Sequence, residues 1–336
     1  MSQARRITMN DVAKKAGVSY QTVSRVINNH PSVAVETRYR VLDAINELGY
    51  EPSRAAQNLA GRESRTIGAV AFGLNDYGPS QIVINMEKVA RDFGYDFLIY
   101  NVTEISRGGV MAAIRHFNRW QVDGLFIIPP TIHAVYTDLV SMCNYPIMYI
   151  GATPDPRIPS VAIDQKRGSE LATEYLIEHG HRQIVEISGP LDWFHARARH
   201  EGWRTTMKKH NLEPQYSIAG DWSAASGYCV AQQLLTDTMP MTGVVVANDQ
   251  MALGALRAFH EAGWRVPEDI SLIGFDNIPE AAYFEPPLTT IQQNFKQLAL
   301  QSIELMIDIL KNRDAHSNHA LIVPELVVRA SVAPST

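Results

Sequence analysis

The sequence predicts an α/β protein: a small three-helix module at the N-terminus, then a two-lobed body of doubly wound parallel sheets. Three observations carry that prediction. The first fifty residues hold three short helical patterns separated by turn residues. From Thr66 onward, short apolar runs alternate with helical stretches. Those runs are continuously apolar, which suits parallel strands covered on both faces.

The helices come first. Thr8 is placed to cap a helix over 10–16. Gly17-Val18-Ser19 reads as a tight turn, with Ser19 capping a second helix over 20–28. Val12, Ala13 and Ala16, then Val23, Val26 and Ile27, form apolar faces. His30-Pro31-Ser32 interrupts the pattern. A third helix over 36–48 carries Val41, Leu42, Ile45 and Leu48 as its apolar set and ends at Gly49. Residues 52–61 are too few to fold alone and read as a linker with conditional helix propensity. The strand-like runs are 67–72, 97–102, 124–128, 147–150, 184–187, 244–247 and 272–275, with 326–332 near the end. They are too many for one short sheet, so two lobes are expected, with a ligand cleft at the C-terminal strand ends.

Composition narrows the function. The chain has 336 residues, 46% hydrophobic and 19% charged, enough to bury a substantial core. No apolar run reaches the ~18 residues that span a bilayer. The start MSQARRITMNDVAKK lacks the apolar stretch of a secretory signal. Cys143 and Cys229 do not make a disulfide framework, and the expected compartment is the cytoplasm. Net charge is -5, but it is divided unevenly. Residues 1–65 hold ten Lys and Arg against six Asp and Glu, a net of +4, whereas 20 against 29 leave -9 on the remainder. A basic piece on an acidic body predicts that only the first piece meets a polyanion.

Two short helices joined at Gly17-Val18-Ser19 form a helix-turn-helix candidate. In that module the second helix enters the DNA major groove and its N-terminal residues meet base edges. Those residues are Tyr20, Gln21 and, one turn on, Arg25. Gln pairs with adenine, Arg with guanine, and the Tyr ring can touch a thymine methyl. Thr8, Thr22, Ser24, Asn28, Thr37 and Tyr50 are candidate phosphate contacts. A generic three-helix bundle with a solvated polar face would share this pattern.

Longer segments add specificity. Asp11-Val12-Ala13 and Ala16-Gly17-Val18-Ser19-Tyr20-Gln21-Thr22-Val23-Ser24-Arg25-Val26 resemble the opening of the lactose-repressor (LacI/GalR) family of transcriptional regulators. Ala55-Ala56-Gln57-Asn58-Leu59-Ala60-Gly61 resembles that family's hinge helix. The likeness resumes at Gly78-Pro79-Ser80-Gln81-Ile82-Val83, Gly220-Asp221-Trp222-Ser223, Ala247-Asn248-Asp249-Gln250-Met251-Ala252-Leu253-Gly254-Ala255, Gly274-Phe275-Asp276 and Thr289-Thr290-Ile291. The resemblance implies a DNA-binding module over 1–51, a hinge over 52–64, and a periplasmic-binding-protein-like effector domain over 65–332. Within that domain it implies an N-lobe of about 65–163 and 295–323, and a C-lobe of about 164–293 and 324–332. It also implies that the hinge folds on operator DNA, with Ala56 and Leu59 at the minor groove and Leu59 as the wedge. A leucine packing on its partner hinge is the alternative.

The body's most informative residue is Trp222, either core filler or a ring that stacks on a pyranose. Arg199, Asn248 and Asp276 fall near probable strand ends, where a cleft would form. A guanidinium, an amide and a carboxylate suit a vicinal diol, although Arg199 and Asp276 also suit a structural salt bridge. The resemblance implies that Arg199, Trp222, Asn248, Asp276, Gln293 and Phe295 line a sugar pocket, with Pro79 and Ile82 on the other lobe. Four positions depart from the galactoside-binding pattern. Gly151 stands where an acid is expected, Asp76 where an apolar residue is, His195 where a small Ser is, and Phe72 is bulkier. Asp76 is placed to replace the missing carboxylate from another wall, and a cellobiose-like β-glucoside is as suitable as a β-galactoside.

An enzyme is disfavoured, since no phosphate-binding loop, dinucleotide fingerprint, nucleophile elbow or zinc-protease motif occurs. No catalytic residue, metal or cofactor is expected. A purine-type corepressor regulator and a sugar-binding protein without DNA activity are the other readings. Two DNA half-sites require two modules, so a homodimer is expected. The helix after Pro79, with Ile82, Met86 and Val89 or Ala90, offers an apolar face to the partner. A chain ending at Thr336, soon after 326–332, leads to the expectation of a dimer without a tetramerising tail.

Overall fold

The structure is a computed structural model that describes residues 7–27, 30–50, 64–103, 106–131, 143–152, 157–214, 216–237, 240–312 and 318–335. Ala56 and Leu59 of the hinge, and the phosphate candidate Asn28, lie outside the described residues. Residues 1–64 and 65–336 form two compact units.

In the first unit, α1 (Met9–Ala16) starts at Thr8. The Thr8 hydroxyl accepts the Asp11 amide while the Thr8 amide donates to the Asp11 carboxylate at 2.8 Å, a reciprocal capping box. Gly17 closes α1 with a left-handed φ of 66°. The Ser19 hydroxyl accepts the Thr22 amide at 3.1 Å and opens α2 (Tyr20–Ile27). Helix α3 (Val35–Leu48) ends at Gly49. Val12, Ala13, Ala16, Val23, Val26, Val41, Ala44 and Tyr50 make the module's core. One expectation is corrected: Leu42 is 41% exposed, and Ala44 takes its place. The inward face of α3 is Val41, Ala44, Ile45 and Leu48, which follows the i, i+3, i+4, i+7 spacing of a helix.

The second unit holds two six-stranded sheets. The N-lobe sheet has the order β11-β5-β4-β3-β1-β2, all parallel: β1 (Thr66–Phe72), β2 (Asp96–Val102), β3 (Gly124–Ile127), β4 (Ile147–Ile150), β5 (Ser160–Ile163) and β11 (His319–Ile322). Helices α4 (Tyr77–Asp92) and α10 (Phe295–Asn312) pack together on one face, and α5 (Arg107–Trp120) sits on the other. The C-lobe sheet has the order β12-β10-β9-β8-β6-β7. Its strands are β6 (Ile184–Ser188), β7 (Ser217–Ala219), β8 (Gly243–Val246), β9 (Ser271–Asp276), β10 (Thr289–Gln292) and β12 (Glu325–Val327). Only β12 runs antiparallel to its neighbour. Helices α6 (Gln165–Glu178) and α7 (Phe194–Lys209) cover one face, α8 (Ala224–Thr236) and α9 (Asp249–Glu261) the other.

Central strands β1, β3, β4, β6, β8 and β9 are buried along their whole length, as doubly covered parallel strands must be. Edge strand β2 is partly exposed. Helices α8 and α9 approach so closely that a Cβ on Gly254 would collide with the Ala224 carbonyl oxygen. Of the expected run 326–332, only its first residues pair as a strand. Beyond them the chain is tied by individual bonds, such as the Leu272 amide to the Ser331 carbonyl at 2.8 Å.

A second correction concerns the helix after Pro79. Ile82, Met86, Val89 and Ala90 are buried in this chain's own N-lobe core, against β1 and α10 residues. That face is consumed within the lobe and cannot serve a partner. The outward side of α4 instead presents Ile84, which is 58% exposed.

The chain passes between lobes three times, from β5 into α6, from β10 into α10, and from β11 into β12. The C-terminal ends of β1, β4, β8, β9 and β10 all lead into the same cleft.

Candidate effector cleft and DNA-reading helix

The cleft lies between the lobes of the second unit. Asp76, Pro79, Ile82, His195, Arg199, Trp222, Asn248, Asp276, Gln293 and Phe295 all line it.

The polar groups of the C-lobe wall are largely held by one another. Arg199 projects from the first turns of α7 and is buried. Its Nε donates to Gln165 Oε1 at 2.9 Å, one terminal nitrogen to the Ala247 carbonyl, and Nη2 to Asp276 Oδ1 at 3.5 Å. Gln165 Nε2 donates to Gln293 Oε1 at 2.7 Å, and Gln293 Nε2 donates to Asp276 Oδ1 at 2.6 Å. The four side chains close a ring: Arg199, Gln165, Gln293, Asp276. The guanidinium also lies over Phe275, 3.7 Å from the ring centroid. Such a buried network is rigid because every break leaves a desolvated polar atom.

Burial pushes the Asp276 carboxyl up to about 6, although Arg199 and Gln293 pull it down. Asp249 sits behind it, fully buried, accepting the Ile278 amide at 2.9 Å and the Thr290 hydroxyl at 2.6 Å. Burial, reinforced by Asp276, pushes Asp249 up to about 8. Across the cleft, burial and then the Asp221 charge raise Asp76 above the ordinary carboxylate value.

Trp222 adopts a left-handed φ of 75°. Its ring meets Trp193 edge-on, with centroids 5.9 Å apart and planes at 64°. Asn248 caps α9 through its Oδ1, and its Nδ2 donates to the Trp222 carbonyl at 2.9 Å. Asn248 therefore positions Trp222 as well as lining the cavity. On the N-lobe side, Tyr77 meets Phe295 edge-on at 6.1 Å.

Tyr77, Gln165, Trp193 and Leu298 also line the cavity, and sequence reasoning did not select them. Trp193 had a usable signal, an aromatic in the loop just before Arg199's helix. Gln165 had none until its ring partners were known.

In the first unit, Tyr20, Gln21 and Arg25 are exposed on α2, while Val23 and Val26 point into the core. Thr22 and Ser24 are half-buried on the same helix and Thr37 is half-buried on α3. Thr8 spends its hydroxyl on Asp11 at 2.6 Å, and Tyr50 is buried in the module core. Both thus have structural roles independent of any phosphate. Among the described residues no helix is long and apolar enough to cross a membrane.

Comparison with known proteins fits both units. The profile for bacterial regulatory proteins of the lacI family matches residues 8–53, and that for a periplasmic binding protein-like domain matches 173–332. The chain is 36% identical to the lactose operon repressor of Escherichia coli K12, over 98% of this chain and 92% of that one. It is 35% identical to the HTH-type transcriptional repressor PurR of Pasteurella multocida, over 97% and 98%. The lac repressor dimer bound to operator and the anti-inducer ONPF superposes with a TM-score of 0.91 at 35% identity, covering 98% of this chain and all of that one. The complex of the transcriptional regulator CelR with cellobiose gives 0.74 at 28% identity, covering 97% and 100%. With a helix-turn-helix module in one unit and a two-lobed cleft in the other, the chain belongs to the lacI family of DNA-binding transcriptional repressors.

Proposed function

We propose that this repressor controls carbohydrate-utilisation genes and leaves its operator when a β-linked sugar, a β-galactoside or a cellobiose-like β-glucoside, fills the cleft. The observation that carries this reading is Trp222, braced by Trp193 beside the Arg199–Gln165–Gln293–Asp276 ring. A pyranose has an apolar face for an indole and vicinal hydroxyls for paired donors and acceptors. Gly151 offers no acid, so Asp76 supplies the carboxylate of the opposite wall, and both gluco and galacto forms remain in the proposal.

The protein acts as a homodimer on a pseudo-palindromic operator, each α2 reading one half-site. Tyr20, Gln21 and Arg25 meet the bases. Arg25→Ala should cost about 1–3 kcal/mol and relax preference at one guanine position. Equal weakening on all sequences would make Arg25 a phosphate contact. Sugar shifts the lobes only if it binds one arrangement better than the other.

The test is a thermal-shift screen of mono- and disaccharides, followed by release of an operator selected by the protein from a random duplex pool. A hit that raises the melting temperature and weakens operator binding supports the reading. A second reading, a purine corepressor, draws on the likeness to PurR. It predicts the opposite sign: a purine base that tightens operator binding.

A further inference from the structure

Among the described residues, His195 stands at the one place where a cleft-lining side chain of the C-lobe bonds directly to a cleft-lining residue of the N-lobe. Its Nε2 lies 3.0 Å from the Gly151 carbonyl oxygen. His195 is in the first turn of α7, and Gly151 directly follows β4. A carbonyl only accepts, so Nε2 must carry the proton. The pair is matched in shape as well. Gly151 has a φ of +82°, and a Cβ there would come within 3.2 Å of Nε2. The neighbouring segment is tied to the N-lobe too, by the Phe194 amide to the Pro130 carbonyl at 2.9 Å and a bridge between Trp193 and Thr131. The imidazole is therefore fixed in both rotation and tautomer.

The other ring nitrogen has the opposite character. Burial, with the Arg199 charge behind it, pushes the imidazole down to about 4, so the ring is neutral at ordinary pH. A neutral ring protonated at Nε2 leaves Nδ1 as a bare acceptor. Among the described residues no protein group donates to Nδ1, and His195 lines the cavity. The cavity's one guanidinium, Arg199, is already engaged by Asp276, Gln165 and Ala247, while Asp76 and Asp276 add carboxylates. Arg199 apart, the charged groups on the walls are thus carboxylates, which disfavour an anion, while the Trp222 indole nitrogen is, among the described residues, an unpaired donor.

We propose that His195, locked by Gly151 with its proton on Nε2, is a specificity-determining acceptor that takes one hydroxyl of an uncharged sugar and excludes anionic ligands. This deepens the sugar reading and rests on it. A hydroxyl donated to Nδ1 also polarises the ring, and hydrogen-bond chains strengthen one another. Sugar at Nδ1 therefore tightens the Nε2–Gly151 bond between the lobes. One contact both selects the ligand and reports its presence across the cleft.

The experiment titrates the full-length protein with lactose, cellobiose, their monodeoxy analogues and the 6-phosphate of each, by calorimetry. His195→Gln keeps a donor near Nε2 and removes the acceptor at Nδ1. His195→Asn keeps a polar group at Nδ1 and gives up the reach to Gly151. Melting temperatures verify that both variants fold. The disaccharide that binds native protein should bind His195→Gln on the order of tenfold more weakly, with His195→Asn less affected. One deoxy analogue should lose about that factor on native protein and lose nothing further on His195→Gln. The phosphorylated sugars should not compete. Disaccharide binding that is equal in native protein and His195→Gln, or stronger in His195→Gln than in His195→Asn, overturns the acceptor role. Preference for a phosphorylated sugar overturns the exclusion of anions. Native protein that binds neither disaccharide overturns the sugar reading itself, a result distinct from the other failures.

Discussion

The two walls of the cleft are built for different work. The C-lobe wall carries the ring of Arg199, Gln165, Gln293 and Asp276 together with Trp222 and Asn248, all interbonded or in ring contact. The N-lobe wall is mostly apolar, with Pro79, Ile82, Phe295 and Leu298, and Asp76 as its one carboxylate. The C-lobe wall has most of the chemistry to recognise hydroxyls, and the N-lobe wall adds Asp76 to a surface that otherwise excludes water. Affinity should reside in the C-lobe, and the signal should arise from how the N-lobe closes against it.

The sharpest way to break this comparison is Trp222→Ala. Losing a central aromatic anchor costs about 2 kcal/mol or more in binding sites of this kind. Sugar affinity should fall on the order of a hundredfold while operator binding persists, giving a repressor that sugar no longer releases. Release at unchanged sugar concentrations would make Trp222 core filler.

Asp276→Asn probes the same wall through pH. Asp276 is raised to about 6, so it ionises only above that value. If the carboxylate accepts a sugar hydroxyl, affinity should climb as pH passes about 6 and level off above 7. Asp276→Asn should be on the order of tenfold weaker at pH 8, with a flat profile. Stability should run the other way. A carboxyl raised in the fold stabilises it fully below the unfolded value of about 3.9, and that contribution is lost as pH rises through the folded value. Relative to native protein, the Asn variant should therefore gain melting temperature as pH rises from about 4 to about 6. A sugar affinity independent of pH in native protein would remove Asp276 from the hydroxyl contacts.

The smallest expected effect is on the other wall. Pro79→Ala trims an apolar contact without exposing a buried polar group. Sugar affinity should change by no more than about threefold, the scale of a partial apolar burial. A loss as large as that of Trp222→Ala would erase the distinction between the walls.

Legibility in the sequence followed the range of the interactions. The helix-turn-helix was readable because its signals are local: Thr8 and Ser19 cap, Gly17 turns, and Val23 and Val26 mark the inward face. The long strands were readable because continuous apolarity requires cover on both faces, as in β1 and β9. Strands β5, β7, β10 and β11 were missed. They have three or four residues and include Ser, Thr or His, and β11 becomes a strand by pairing with β5 far earlier in the chain. Leu42 and the face of α4 failed for a related reason. Apolar periodicity shows that a helix face is covered, but not which surface covers it. In the cleft, the residues named from the sequence do line one cavity, while the bonds that arrange them were hidden. No local pattern connects Gln165 to Gln293, and yet the Asp276 carboxylate is held through that pair.

The central claim is that sugar and operator oppose one another through the lobes, and reciprocity tests it most directly. The sugar that emerges from the screen is titrated calorimetrically into the protein alone and into its operator complex. Coupling between two sites has to be equal in both directions, and such couplings are typically about 5–150-fold. The account predicts that operator weakens sugar binding by the same factor by which sugar weakens operator binding. Identical sugar affinity in the two titrations, or tighter binding on the operator complex, would contradict it.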